Sequence, residues 1–180
     1  SPSTSPSSKP PPAPTAPVAE EAPMRPGETI MTTACEGSGD NRSATLNNLK
    51  DCNVWVRRGD SLGPLGLIRM INLVSCRVVI DDPVDGAVHI DHCRNCIICL
   101  RTSRQLRLHD SHSCCVSFEE TRSNPVIETC DEMVFSRLLL IRDDSMAKEK
   151  EEVTKPIEVE DFSWMRKDKA SPNWKMADHS

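Results

Sequence analysis

The segment Arg104-Gln105-Leu106-Arg107-Leu108-His109 holds the residue types best suited to acting on a charged group. In an extended chain alternate side chains share a face. Leu106 and Leu108 then point into a core, and Gln105, Arg107 and His109 point out. That places a guanidinium on a rigid sheet surface between an amide and an imidazole. Arginine is the residue suited to neutralising charge that develops on a transferring phosphoryl group. Supplied to a GTPase from outside, it raises the rate on the order of 10³–10⁵. On the bare residues the commoner case is an ordinary solvated arginine on a β surface.

A second arrangement overlaps the first. Cys93-x₂-Cys96-x₁₂-His109-x₂-His112 approaches a zinc-finger spacing, with Cys114 as a substitute for His112. A finger needs a helix before its first histidine, whereas Ile97–Leu100 reads as β, and the gap between the histidines is short. A zinc module is therefore the lesser reading, and no metal ligand is assigned. His89-x₂-His92 and Cys114-Cys115 are read as turn or core positions. No nucleophile elbow or papain-like signature accompanies the cysteines. No Gly-rich phosphate loop is present, so the chain is not expected to bind GTP by itself, and no cofactor is implied.

The elements that must carry these residues show in the pattern of the chain. Leu49-Lys-Asp-Cys52-Asn-Val54-Trp-Val56 is echoed by Leu73-Val-Ser-Cys76-Arg-Val78-Val-Ile80, then by Ile90-Asp-His-Cys93, Leu108-His-Asp-Ser111 and Ile127-Glu-Thr-Cys130. On this register a small residue recurs at 52, 76, 93, 111 and 130. Alternation with Val, Ile and Cys argues for strands. Units this short cannot hold a strand–helix–strand crossover, but they suit one turn of a three-sided coil. Three Phe, three Trp and no Tyr fit a narrow interior filled by Val, Ile, Leu and Cys. The expectation is an all-β parallel β-helix over 30–142, with an ordinary small-stranded β-domain as the alternative that composition alone leaves open.

Residues 1–29 hold nine of the 14 prolines and read as a flexible linker. Residues 143–180 read as an extension: a charged, helix-compatible run from Ser145 to Val153, then a tail with Phe162, Trp164 and Trp174. These aromatics are expected to fold back and cover an apolar side of the β-helix, and Leu138–Ile141 to cap the stack. The net charge of −5 sits mainly outside 30–142, which carries 14 acids against 13 bases. A nearly neutral core lacks the footprint of a nucleic-acid binder. No run reaches 18 apolar residues, so no membrane span is expected. The nine cysteines, with no signal peptide before them, read as reduced core thiols of a cytosolic protein.

Gln105-Leu106-Arg107-Leu108-His109 resembles the Gln-Leu-Arg-Ile-His segment of the tubulin-folding cofactor C family. Ser123-Asn-Pro125-Val126-Ile127-Glu128 resembles its Ser-x-Pro-Ile-Ile-Glu. Asp161-Phe162-Ser-Trp164-Met165 and Ser171-Pro172-Asn173-Trp174 are similar to its Asp-Phe-x-Trp-Leu and Ser-Pro-Asn-Trp. The resemblance covers roughly 44–176 and is strongest over 86–135 and 159–175. It implies a right-handed parallel β-helix of the C-CAP/cofactor C-like type, with the C-terminal extension packed back on it. It implies a GTPase activator rather than an enzyme in its own right. The domain would act on β-tubulin with cofactors D and E and release native αβ-tubulin, in the cytoplasm and associated with the cytoskeleton. Arg107 matches the family's catalytic arginine, Gln105 its neighbouring glutamine, and Glu128 the glutamate one coil later. His109 joins them as a partner-facing residue. Arg104 departs from a glutamine common at that place. Arg101, Arg104 and Arg107 would then form a positive strip facing acidic tubulin. An Arf-like GTPase is the alternative client, and a non-catalytic scaffold for a cytoskeletal protein the alternative role.

Overall fold

The computed structural model describes residues 29–32, 42–57, 65–138 and 156–177. In chain order the strands are β1 (Thr29–Thr32), β2 (Arg42–Asn47), β3 (Asn53–Val56), β4 (Leu65–Ile71), β5 (Arg77–Ile80), β6 (Val84–Asp91), β7 (Ile97–Ser103), β8 (Gln105–His109), β9 (Cys115–Thr121), β10 (Val126–Glu128), β11 (Met133–Arg137), β12 (Glu160–Asp161) and β13 (Trp174–Met176). The odd strands form a seven-stranded sheet in the order β1-β3-β5-β7-β9-β11-β13. The even strands form a six-stranded sheet in the order β12-β10-β8-β6-β4-β2. Every pairing is parallel. This is a right-handed parallel β-helix.

Alternation puts one face of each strand inside. Leu106 and Leu108 of β8 are buried while Gln105, Arg107 and His109 are exposed. Val54, Val78, Ile98, Val116 and Phe135 stack in register and are buried, as do Leu46, Met70, Ile90, Leu108 and Ile127 on the even sheet. Truncating a buried leucine such as Leu106 to alanine costs about 2–5 kcal/mol. The strand that carries Arg107 is thus anchored from beneath.

From an even strand to the next odd strand the chain turns two corners. The pairs are Asn48 and Asp51, Asn72 and Ser75, His92 and Asn95, Asp110 and Ser113, and Thr129 and Glu132, with φ from 44° to 56°. Asn and Asp tolerate this left-handed region better than most residues, and β-branched Thr129 is the least suited of the ten. Between the corners Lys50, Val74, Arg94, His112 and Asp131 pair as single parallel bridges, which form a narrow third side.

These bridges set the register of the repeat and correct the one read from sequence. Cys93 is the residue before the bridging Arg94, so it stacks with Leu73, Ser111 and Cys130 rather than with Cys76. The residue that stacks on Cys76 is Cys96, followed by Cys114 and Met133. Two small residues three apart offered two equivalent alignments, and only the hydrogen-bonded ladder separates them. The corner thiols have a specific task. Cys52, Cys76, Cys93, Cys96, Cys114 and Cys130 each donate to the carbonyl two residues earlier, over 3.1–3.4 Å, and Ser111 does the same at 2.9 Å. A thiol is a weak donor, and here it adds a second bond to a carbonyl that, at Val74, Asp91, Arg94, His112 and Glu128, already accepts a backbone N–H from the preceding coil. Burial pushes the thiols of Cys76, Cys99 and Cys130 up, which keeps them protonated.

Asp85-Gly86 lies within β6 opposite a register shift in β4. A Cβ on Gly86 would fall 1.7 Å from the carbonyl oxygen of Gly66, so only glycine fits this close approach.

The C-terminal segment packs back on the helix, as the resemblance implies. β12 extends the even sheet beside β10, and β13 extends the odd sheet beside β11. Asp161 is in register with buried Ile127. Its carboxylate accepts from Ser171 Oγ at 2.6 Å, Asn173 Nδ2 at 2.8 Å and the Ser163 amide at 2.9 Å. The Asp-Phe and Ser-Pro-Asn-Trp motifs are therefore two halves of one clasp. Trp174 meets Phe135 edge to face at 6.2 Å. Phe162 does not cover an apolar side: it is 56% exposed, and Met165 is 87% exposed. Asp161 takes the inward position, so parity sends Phe162 outward. Residues 1–28 of the expected linker, Leu139–Ile141 of the expected cap and the charged run Ser145–Val153 lie outside the described residues. Among the described residues no helix is long and apolar enough to cross a membrane.

Candidate functional site

The outer face of the even sheet is a grid whose rows cross the strands. One row runs Thr45, Arg69, His89, Arg107, Val126, Glu160. The next runs Asn47, Ile71, Asp91, His109, Glu128. A hollow of about 480 Å³ opens over both, bordered by Arg69, His89, Asp91, Arg107, Glu128 and Phe162 among others. Arg107 thus has His89 on one side and Val126 on the other.

The charges of the site are unevenly compensated. Asp91 Oδ1 lies 2.8 Å from His92 Nδ1 and 3.3 Å from His109 Nδ1, and Asp110 Oδ2 lies 3.1 Å from His109 Nδ1. These groups satisfy one another at the edge of the hollow. Asp91, His92 and Asp110 are also the one grouping among the described residues compact enough to share a cation. Arg69 and Arg107 are exposed, and among the described residues neither guanidinium takes part in an ion pair or hydrogen bond. His89 stands between them. Burial, then Arg107 and Arg69, lower its pKa, so the imidazole is neutral at pH 7.

Of the residues singled out in the sequence, Arg107, Gln105, His109 and Glu128 share this face. Glu128 is in register with His109 rather than Arg107, so it stands one row away from the guanidinium. Arg101 and Arg104 do not join Arg107 in a strip. Arg101 lies within β7 on the other sheet, 3.5 Å from Glu119. Arg104 sits at the β7–β8 joint and donates to Asp85 Oδ1 through Nε at 3.1 Å and Nη2 at 3.0 Å. The zinc-finger set is divided by the sheet itself: Cys93, Cys96 and Cys114 are buried, and His109 lies on the outside. Arg69, His89, Asp91 and Phe162 were missed as site residues. The signal for the first two is the triplet apolar-X-apolar at Ile68-Arg69-Met70 and Val88-His89-Ile90, which matches Leu106-Arg107-Leu108 once the coils are in register.

The fold and the face together define a class: a parallel β-helix domain whose outer sheet presents uncompensated arginines. A family model described as Tubulin binding cofactor C matches residues 41–162, and the chain belongs to that family. Tubulin-specific chaperone C of Dictyostelium discoideum is 34% identical over 94 residues, which are 52% of this chain and 21% of that protein. The protein of the same name from Mus musculus is 26% identical over 141 residues, 74% of this chain and 38% of that protein. The chain therefore spans well under half the length of these curated relatives. The solved structure of Tubulin Binding Cofactor C from Leishmania major aligns with a TM-score of 0.49 at 20% identity, over 78% of this chain and 90% of that one.

Proposed function

We propose that this domain stimulates GTP hydrolysis by β-tubulin held with cofactors D and E, and so helps to release native αβ-tubulin, with Arg107 as the arginine finger. The observation that carries this reading is the Arg107 guanidinium, exposed and uncompensated on a strand pinned by buried Leu106 and Leu108. Membership of the tubulin binding cofactor C family supports the choice of client. In the partner's nucleotide site Arg107 would meet the oxygens of the transferring phosphoryl group as charge builds on them. Its own part is electrostatic and moves no proton. Because the sheet holds the strand, little ordering is left to do when the partner arrives. Gln105, His109 and Glu128 share the face and would contact the partner around the finger. Arg101 and Arg104 are held by Glu119 and Asp85, so they add little net charge to the face the partner would meet. The work would take place in the cytoplasm, on newly folded tubulin.

The test is stimulated GTP hydrolysis by tubulin with cofactors D and E. Arg107→Ala is expected to lower it by on the order of 10³. Near wild-type stimulation by that variant removes the finger assignment. Exposed Phe162 at the rim of the hollow favours a second reading, a binding scaffold without a finger. Under it, tubulin release survives Arg107→Ala and fails with Phe162→Ala.

A further inference from the structure

We propose that Arg69 is a second phosphate-engaging arginine, and that Arg69, His89 and Arg107 form one cradle for a chain of phosphate groups. The inference deepens the proposed function, since it names what else the arginine-bearing face touches. Three observations carry it. The three residues stand side by side on β4, β6 and β8, in consecutive register. All three border the same hollow. Neither arginine is committed to a carboxylate among the described residues, while Arg57, Arg101, Arg104 and Arg166 are ion-paired; Arg77, Arg94 and Arg122 are likewise unpaired there but do not border this hollow.

The spacing selects the ligand. Strands lie about 4.8 Å apart, so the backbones at 69 and 107 are separated by roughly 10 Å. A single carboxylate satisfies one guanidinium. A chain of phosphates offers several oxygens to both forks, and the neutral imidazole between them can donate one N–H. The charged neighbours of His89 are Arg69 on β4, Arg107 on β8 and Asp91 two residues along its own strand. Asp91 is engaged with His92 and His109, so the row keeps its positive charge. Two guanidiniums also hold the proton off His89, and an anion seated between them must let it back.

That linkage gives a readout on the isolated chain. The His89 ring resonances are followed by NMR through a pH titration, with and without inorganic pyrophosphate. Pyrophosphate is expected to raise the His89 pKa, and the rise is expected to vanish in Arg69→Ala and to return in part in Arg69→Lys. No pyrophosphate effect on His89 overturns the cradle, whatever becomes of the finger. An effect from a hexaglutamate peptide and none from pyrophosphate overturns the phosphate assignment. In the tubulin assay Arg69→Ala is expected to raise the half-saturating concentration of this domain about tenfold, with a smaller change in maximal rate. Arg107→Ala instead collapses the maximal rate. If Arg107→Ala collapses it and Arg69→Ala changes neither quantity, the second arginine has no part in the reaction and the proposal falls alone. If Arg107→Ala changes nothing, the finger fails, and the pyrophosphate titration still decides the cradle.

Discussion

Arg57, Arg101 and Arg137 on the odd side of the coil are engaged by neighbouring groups, whereas Arg69 and Arg107 in the even sheet are not. Exposed Arg77 of β5 is the exception on the odd side, with no ion pair among the described residues. Arg57 lies 3.5 Å from Asp81 and over the Trp55 ring, and Arg101 lies 3.5 Å from Glu119. Arg137 at the end of β11 donates to the Glu119 carbonyl at 2.8 Å. In the even sheet Arg69 and Arg107 face a hollow, with a histidine between them and no acid in their part of the row. Exposed pairs of the first kind contribute little to stability, about 0–1 kcal/mol each. Their effect is to leave that surface quiet. Arg69 and Arg107 have no such partner among the described residues, which leaves both guanidinium forks open to an anion from outside.

Several substitutions probe this difference. Arg107→Lys keeps the charge and removes the planar fork, and it is expected to lower stimulated GTP hydrolysis by at least about 10² while leaving the thermal midpoint unchanged. Val126→Glu would place a carboxylate in register beside Arg107, which converts the active row into the pattern of the other sheet. It is expected to cut stimulation several-fold in the same assay, with about wild-type stability. Glu119→Gln makes the converse change on the odd sheet. Denaturant titration is expected to show a loss of no more than about 1 kcal/mol, and stimulation is expected to stay intact. A drop in stimulation there would erase the contrast between the faces. The smallest effect is in pH. The His89 pKa in the fold is below its usual 6.5, so the unfolded chain takes up that proton first as the pH falls. Wild type is expected to lose stability relative to His89→Gln as the pH falls through and below about 6.5, and never to gain it.

What could be read from the chain follows its local chemistry. Leu106-Arg107-Leu108 announces a strand with one buried face, and the structure puts those leucines inside and the arginine outside. Coils that begin Leu-x-x-Cys, such as Leu49 and Leu73, align without ambiguity. The coil at Cys93 does not, because a cysteine has replaced the leucine and the two thiols compete for the same place. Arg69 was out of reach for a different reason: the apolar-X-apolar triplet it shares with Arg107 points to it only once the coils are stacked in the right register. Arg104 was grouped with Arg107 by sequence distance, yet the sheet turns between them and Asp85 takes its charge. Phe162 shows the limit of arguing from residue type. Its hydrophobicity suggested burial, but the alternation set by Asp161 outranked it.

The paired left-handed corners carry a consequence for how this domain can change. Within each pair the corners are three residues apart, from Asn48 and Asp51 to Thr129 and Glu132. From the second corner of one pair to the first of the next the distance varies: 72 − 51 = 21, 92 − 75 = 17, 110 − 95 = 15 and 129 − 113 = 16. Arg69, His89 and Arg107 each precede a first corner by three residues (Asn72, His92 and Asp110). Insertions and deletions therefore have a permitted home, the stretch where an odd strand passes to the next even strand. Length can drift there over generations while the three residues stay abreast, much as beads keep their order on a string that is let out elsewhere.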